Sequence, residues 1–251
     1  MNPKITDWAG QHVWLVGASS GIGAALALAL SRRGAQLALS ARSADKLAAL
    51  GIAQAKILPC DVTDVASVTQ VHRRLLADWG RIDQVIYLAG DYAPMRAAHF
   101  DLALAERVVE VNLSGAMRLA AVVLPALQPG NGIAFVASVA GYRGLPRALA
   151  YGPGKAGLIH FAECLYLDLA PGNVGVRIIN PGFVATQLTA KNDFSMPALL
   201  TPEEAARAVL KGFTTGAFEI HFPRRFTLIM KILRVLPYRW YFPLVRRFTG
   251  G

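Results

Sequence analysis

The sequence predicts an α/β fold: a single domain built on a doubly wound parallel sheet of about seven strands. Two observations lead to this prediction. Apolar segments of strand length alternate with longer helix-like segments, and the 251 residues are 54% hydrophobic. Strands that are apolar throughout are typical of parallel sheets covered by helices on both faces. Because no Pro/Ser-rich linker or fixed-period repeat occurs before about residue 220, one domain with one large core is expected.

Seven apolar segments fit the strands of this sheet. They are VWLVG (13–17), QLALS (36–40), AKILPC (55–60), QVIYLAG (84–90), GIAFVAS (132–138), VGVRIIN (174–180) and FEIHF (218–222). The helix-like segments between them are expected to cover the two faces of the sheet.

Composition and charge limit the function classes. Only two cysteines occur, Cys60 and Cys164, and the five histidines show no paired ligand spacing, so neither a disulfide framework nor a metal site is expected. The N-terminus lacks the features of a signal peptide, and we expect a cytoplasmic protein. The net charge of +10 is uneven, since residues 220–251 contain seven Lys/Arg and no acid.

A glycine-rich turn follows the first predicted strand. Its sequence is GASSGIG (17–23), and an apolar helix-like segment comes directly after it. Glycine lets the backbone turn sharply and approach a ligand, and free N–H groups at a helix start favour a phosphate. A tight turn can need glycine for packing alone, but this position in a βαβ unit favours a dinucleotide pyrophosphate. The residues predicted to bind it are Gly17, Ser19, Ser20, Gly21, Ile22 and Gly23.

The GxxxGxG spacing, followed by further motifs in a fixed order, resembles the short-chain dehydrogenase/reductase family over about residues 10–220. These motifs are Asp61-Val62, Ala89-Gly90, Asn112, Ser138, the Tyr151/Lys155 pair and PGFVAT (181–186). The resemblance implies a Rossmann-type fold, a nicotinamide dinucleotide and the interconversion of a carbonyl compound and its alcohol. It also assigns further residues to the cofactor site. These are Asp61, Val62, Ala89, Gly90, Tyr151, Lys155, Pro181, Gly182, Val184 and Thr186.

Tyr151 and Lys155 stand four residues apart around a Gly-Pro-Gly segment. In a helix these positions share a face, so both side chains would point into one cleft. Pro153 is acceptable in the first turn, where its missing N–H would have no intrahelical partner. An ammonium group near a phenol favours the phenolate, which makes tyrosine a better acid or base at neutral pH.

The resemblance implies a role for each of four catalytic residues. Tyr151 would exchange a proton with the substrate oxygen, and Lys155 would lower the tyrosine pKa and bind the ribose hydroxyls. Ser138 would hydrogen-bond the reacting oxygen, and Asn112 would hold a water in a proton relay. Each residue alone also fits an ordinary surface or buried polar position, but the four occurring together favour catalysis.

Two positions depart from the family pattern. Tyr87 and Leu88 replace a pair of asparagines that brace the central strands in the family. Pro153 and Gly154 replace an Ala-Ser pair within the tyrosine motif, so a hydroxyl near the cofactor is lost. We expect activity to be retained, because the residues that transfer the proton are intact.

The end of the second predicted strand bears on cofactor choice. Ala41 stands where an acid would bind the ribose of NAD, and Arg42 can pair with the extra phosphate of NADP. This predicts NADP (NADPH) rather than NAD, although Arg42 also fits a solvated residue opening the next helix. Asp61 would bind the adenine amine in this family, or it could cap a helix.

Residues 223–251 are predicted to be a basic amphipathic extension of the domain formed by residues 1–222. Arg224, Thr227, Lys231 and Arg234 recur at helical spacing among apolar residues up to Pro237. Two interpretations stay open: the segment lies on an anionic membrane, peripheral on its inner face, or it packs on the protein or at a subunit contact. No recognised motif supports nucleic-acid binding.

The sequence therefore predicts an NADP-dependent oxidoreductase for a lipophilic carbonyl or alcohol substrate. Four apolar residues after Thr186 could line a lid over that substrate; they are Phe194, Met196, Leu199 and Leu200. The family implies a homodimer or homotetramer. The alternative function is a non-catalytic, dinucleotide-binding regulatory protein or membrane-surface scaffold.

Overall fold

A seven-stranded parallel sheet forms the centre of the molecule in a computed structural model that describes residues 1–192 and 194–249. Its strands are β1 (His12–Val16), β2 (Gln36–Ser40), β3 (Lys56–Ile57), β4 (Gln84–Tyr87), β5 (Gly132–Val136), β6 (Gly175–Pro181) and β7 (Glu219–Phe222). Their order is β3-β2-β1-β4-β5-β6-β7. This confirms the predicted doubly wound sheet, in which the order of successive strands changes direction between β1 and β4 while all strands stay parallel.

The edge strand β3 is shorter than predicted. Only Lys56 and Ile57 form the ladder, whereas the apolar pattern suggested residues 55–60. Pro59 fits an edge strand, because the N–H that it lacks would point away from β2. The backbone still follows β2, because the N–H of Leu58 donates to the Leu39 carbonyl at 3.0 Å and that of Cys60 to the Ala41 carbonyl at 3.0 Å.

Helices cover both faces of the sheet. They are α1 (Gly21–Ser31), α2 (Ala44–Ala48), α3 (Val65–Trp79), α4 (Leu102–Val109), α5 (Gly115–Val123), α6 (Tyr151–Leu169), α7 (Pro202–Phe213), α8 (Arg224–Val235) and α9 (Tyr238–Thr249). Successive strand residues face opposite sides. Trp14, for example, packs in the cluster with α3, α5 and α6, and Leu15 packs in the cluster with α1 and α7.

A single π-helical turn, Glu110–Ser114, joins α4 and α5 into one continuous helix. By length and composition alone, the stretch Leu102–Ala126 could cross a membrane. In this fold Leu119 packs in the cluster beside the sheet, and Val108 packs in a smaller cluster with Ala105 and Ala150. It therefore serves here as one of the helices that cover the sheet.

The C-terminal extension forms two helices. The helical pattern of residues 224–236 corresponds to α8, but the aromatic and basic segment after Pro237 also forms a helix, α9, despite Pro243 inside it. The helix starts with the N–H groups of Trp240 and Tyr241, which both donate to the Pro237 carbonyl at 3.0 Å. Burial of Tyr241 and Val245 against the body of the protein stabilises a segment whose proline weakens helix formation.

Candidate active site

The glycine-rich turn lies at the carboxyl end of β1, beside the end of β4. Gly17 has φ +98°, and a Cβ there would lie 2.7 Å from Ala89 Cα. A Cβ on Gly23 would overlap the Gly17 carbonyl oxygen. Only glycine fits either position, so the turn comes close to the neighbouring strand and opens into α1. Ser19, Ser20 and Ile22 are only partly buried or exposed and border the same opening.

The other residues predicted to bind the cofactor also follow the carboxyl ends of strands. Val62 follows β3, Ala89 and Gly90 follow β4, and Pro181 ends β6. In a parallel sheet these ends share one edge, and the crevice there is where ligands bind such folds. Thr186 lies over the turn, because a Cβ on Gly21 would lie 2.9 Å from Thr186 Cγ2.

Asp61 is held by its own loop and does not cap α3. Its Oδ1 accepts hydrogen bonds from the Thr63 N–H at 2.9 Å and the Thr63 hydroxyl at 2.7 Å. These bonds lower the pKa of Asp61, and Arg42 lowers that pKa further by its charge. The cap of α3 is Asp64, which accepts from the Ala66 N–H at 2.8 Å. Arg42 is exposed between β2 and α2, so Asp61 and Arg42 together border one end of the crevice.

The predicted catalytic residues meet at the middle of the same edge. Tyr151 is the first residue of α6, with Lys155 one turn further, and Pro153 lies in the first turn as the spacing predicts. Ser138 follows β5, and its side chain lies close enough to Tyr151 to lower the pKa of that phenol. Lys155 Nζ lies 5.6 Å from the centroid of the Tyr151 ring and donates to the Val136 carbonyl at 2.8 Å.

Burial dominates the titration of the Tyr/Lys pair. It raises the pKa of Tyr151 to about 12; the Ser138 side chain opposes this shift and Tyr92 adds to it. Burial lowers the pKa of Lys155 to about 7. The chain's own residues therefore do not acidify this phenol. An anionic group beside Lys155 would favour its charged form, and that charge would in turn favour the phenolate.

Asn112 lies in the π turn with one polar atom unpaired. Its Nδ2 donates to the carbonyls of Val108 and Asp91, both at 2.7 Å. Its Oδ1 is buried and has no hydrogen-bond partner among the described residues. A Cβ on Gly90 would lie 3.1 Å from this oxygen and 3.7 Å from Lys155 Nζ. A buried acceptor next to an ammonium group is suited to accept a hydrogen bond from a ligand or a water.

Tyr87 forms a brace at the position where the family has asparagine. Its ring is fully buried, and its hydroxyl donates to the Val111 carbonyl at 2.5 Å. Val111 lies in the π turn, so this bond ties β4 to the segment that carries Asn112. Gly115 leaves room for the hydroxyl, because a Cβ there would lie 2.6 Å from it. Sequence reasoning identified the missing asparagine but not this replacement.

The loop after β6 is hydrogen-bonded to Tyr92, a neighbour of Tyr151. Tyr92 packs edge-on against Tyr151, with ring centroids 5.0 Å apart, and sequence reasoning missed it. The Tyr92 hydroxyl donates to Asn192 Oδ1 at 2.8 Å, and Lys191 Nζ donates to the Tyr92 carbonyl at 2.6 Å. The loop that was predicted to be a lid is therefore bonded to a neighbour of the proposed proton donor.

Comparisons with known proteins agree with this arrangement. A family model described as short chain dehydrogenase matches residues 11–195. An uncharacterized oxidoreductase of Myxococcus xanthus is 35% identical over 231 residues, covering 89% of this chain and 91% of the relative.

Two solved structures share the fold. A short chain dehydrogenase from Burkholderia cenocepacia in complex with NADP has a TM-score of 0.82 at 26% identity, covering 92% of this chain and 95% of that one. A short chain dehydrogenase/reductase from Burkholderia phymatum in complex with NAD also has a TM-score of 0.82, at 21% identity, covering 90% and 94%. These likenesses confirm the predicted Rossmann-type architecture.

Proposed function

We propose that this chain, which belongs to the short-chain dehydrogenase/reductase family, reduces a lipophilic carbonyl compound with NADPH, and that Tyr151 supplies the proton. Members of this family are NAD(P)-dependent oxidoreductases, and this chain acts on a CH–OH or C=O group. The observation that carries this proposal is the meeting of Ser138, Tyr151 and Lys155 beside the glycine-rich turn. These residues fit a dinucleotide, since the turn admits no Cβ at Gly17 or Gly23.

The chain's residues divide the work of proton transfer. The Tyr151 hydroxyl gives its proton to the carbonyl oxygen, and the Ser138 hydroxyl holds that oxygen in place. Lys155 in its charged form stabilises the phenolate that remains. Asn112 Oδ1, buried and unpaired among the described residues, accepts a hydrogen bond on the route by which a new proton reaches Tyr151. When bound, the dihydronicotinamide supplies the hydride.

A matched pair of variants tests the role of Tyr151. Tyr151→Phe removes one hydroxyl at the start of α6, and Tyr166→Phe removes one near the other end of the same helix. We expect Tyr151→Phe to lower kcat by about 10²–10⁴-fold, the range that general acid catalysis contributes, and Tyr166→Phe to leave kcat unchanged. Fluorescence titration with NADPH should show that both variants bind the cofactor.

Two results would count against this function. Unchanged turnover in Tyr151→Phe would remove Tyr151 as the proton donor. A protein that binds NADPH but oxidises it with no member of a broad panel of ketones and aldehydes would favour the alternative, a non-catalytic dinucleotide-binding scaffold.

The preference for NADPH is supported by the exposed Arg42 and by the absence of an acid in residues 40–43, SARS. An arginine here can pair with the 2′-phosphate, and a carboxylate would repel it. Arg42→Ala should lower kcat/KM for NADPH more than for NADH. Arg33→Ala, an exposed arginine after the far end of α1, should change neither value. An equal loss with both cofactors would contradict the proposed contact.

The lipophilic character of the substrate is supported by the loop after β6. Phe194 and Leu199 are about half exposed, Met196 is partly buried, and Phe183 packs against Phe194 with centroids 5.9 Å apart. Apolar side chains that border the entrance favour an apolar substrate. In a homologous series of methyl ketones, kcat/KM should increase with chain length, whereas a flat series would contradict this substrate class.

A homo-oligomer is proposed on the basis of large apolar side chains exposed on and beside α4, α5 and α6. They are Phe100, Leu102, Met117, Leu149 and Leu167. Large apolar side chains exposed on surface helices are typical of a subunit interface. Light scattering during size-exclusion chromatography should give the mass of a dimer or tetramer, and Leu167→Glu should reduce that mass. A monomer at all concentrations would exclude the interface.

A further inference from the structure

The outward side of α8 is apolar. Leu228, Ile229, Ile232 and Val235 are each between 51 and 79% exposed. At 100° per residue these positions share one face, directed away from the body of the protein. Arg225 is exposed on the same face. Four large apolar side chains next to one another in water are unfavourable for a free surface.

The inward side of the same helix is partly polar. Thr227 Oγ1 lies 2.6 Å from His221 Nδ1, and Lys231 Nζ lies 2.5 Å from a carboxylate oxygen of Glu219. Met230 is the buried apolar residue between these polar contacts. An amphipathic helix on a water-soluble protein usually buries its apolar face. In α8 the polar residues Thr227 and Lys231 contact the body of the protein, and a second apolar set faces outward.

Several contacts hold the two helices firmly in this orientation. Arg143 donates to the carbonyls of Leu233 at 2.8 Å and Arg234 at 3.1 Å, close to the negative end of the α8 dipole. The same guanidinium lies 4.0 Å from the centroid of the Tyr241 ring. The Tyr241 hydroxyl donates to the Gly144 carbonyl at 2.5 Å. The apolar face is therefore part of a well-packed element and is not a frayed end.

The charge beside this face is uniformly positive. Residues 220–251 contain seven Lys/Arg and no acid. In α9, Arg239, Arg246 and Arg247 are exposed, together with Trp240 and Phe242. Basic residues near an anionic bilayer favour binding, and exposed tryptophan favours the headgroup region. A 12-residue helix is about 18 Å long and cannot span about 30 Å of hydrocarbon, so it would lie in the plane of the surface.

We propose that the outward surface of α8 and α9 docks the protein on an anionic lipid bilayer. The apolar side chains of α8 enter the boundary between headgroups and acyl chains, and the arginines of both helices contact lipid phosphates. The charge complementarity favours this partner over a second copy of the chain, since two copies would bring two basic surfaces together.

The docking surface continues into the loop that borders the active site. Phe226 of α8 packs against Phe183 with centroids 5.6 Å apart, and Phe183 packs against Phe194 at 5.9 Å. Three rings thus connect the bilayer-facing helix to the apolar entrance. If the proposed function holds, a lipophilic substrate enters the site from the bilayer side. The docking itself does not depend on catalysis.

Vesicle flotation of the full-length protein tests the docking. The protein should float with vesicles that contain phosphatidylglycerol, bind less to phosphatidylcholine alone, and be released as salt increases. The double variant Ile229→Gln/Ile232→Gln should lose at least about tenfold in partitioning, because burial of the two isoleucine side chains together contributes more than about 1.4 kcal/mol. Val65→Gln, a similar change at an exposed apolar residue of α3, should bind as the wild type does.

Three outcomes would overturn the proposal. They are failure of the wild type to bind anionic vesicles, equal flotation of the isoleucine variant, and conversion of a dimer to a monomer by this variant without any change in flotation. The last result would assign the face to a second copy of the chain. Unfolding midpoints of all variants should match the wild type, since the substituted side chains are exposed.

NADPH oxidation with a water-soluble ketone, measured without vesicles, separates this proposal from the proposed function. The isoleucine variant should retain that activity. A protein that floats but does not turn over would refute the function and leave the docking, and an active protein that does not float would do the reverse.

Discussion

Replacing Gly154 by alanine should stabilise the protein, although this glycine lies between the two proposed catalytic side chains. Gly154 is buried in the first turn of α6, and its φ angle lies outside the left-handed region. A Cβ there would lie 3.5 Å from Asn112 Cβ and 3.9 Å from Val109 Cα, both ordinary van der Waals contacts. The position therefore accepts a methyl group without strain.

The expected magnitude follows from this geometry. Alanine in place of glycine in a helix contributes about 0.5–1 kcal/mol, mainly by restricting the unfolded chain, and the buried methyl group adds a similar amount at most. We expect about 1 kcal/mol, which raises Tm by about 2–4 °C for a chain of this length. Gly17→Ala makes the same chemical change at a residue with φ +98°, where the new methyl group would overlap the backbone of Ala89. This variant should destabilise the protein by more than about 1 kcal/mol.

Thermal and urea unfolding of the cofactor-free proteins measure both effects. A lower Tm for Gly154→Ala would refute the argument, because it would mean that the methyl group meets something the structure does not place there. A higher Tm combined with weaker NADPH binding would show that glycine is retained for close approach of the cofactor.

Three further predictions follow from buried groups. Tyr87→Phe should lower the free energy of unfolding by about 1–3 kcal/mol in urea titration, because the Val111 carbonyl loses its donor; an unchanged midpoint would contradict the brace. Burial lowers the pKa of Lys155 from 10.5 to about 7, so the unfolded chain binds more protons between these values, and the unfolding free energy of the cofactor-free protein should increase from pH 7 to pH 10. Lys155→Met should remove this increase, and a variant that keeps it would assign it to another group. A thiol reagent should label Cys164, which is exposed, and spare Cys60, which is buried with a raised pKa; mass spectrometry that finds two labels on the folded chain would contradict this.

The sheet and the positions of the candidate site residues could be predicted because their signals are local. An unbroken apolar segment predicts a buried strand, and the parallel arrangement brings residues such as Ser138 and Gly90 to one edge. The glycine spacing was informative for the same reason, since Gly17 and Gly23 lie where no side chain fits.

Other features depend on partners that lie far away in the sequence. The π turn at Glu110–Ser114 has no sequence signal of its own, and the Tyr87 hydroxyl that bonds to it comes from β4. The period of α8 gave a polar and an apolar side but not which of them faces the protein. That choice depends on Glu219, which pairs with Lys231, and on His221, which hydrogen-bonds Thr227.

The contacts of Arg143 and Tyr241 have a consequence for the order of events during synthesis. The loop between Ser138 and Tyr151 is made near the middle of translation, but Glu219 and Tyr241, which hydrogen-bond this loop, belong to the last part of the chain to leave the ribosome. A nascent chain can form the glycine-rich turn early, whereas the loop carrying the serine obtains its final neighbours only after release. Premature termination just before codon 241 would therefore leave a protein with every proposed catalytic residue but without the Tyr241 hydrogen bond to this loop.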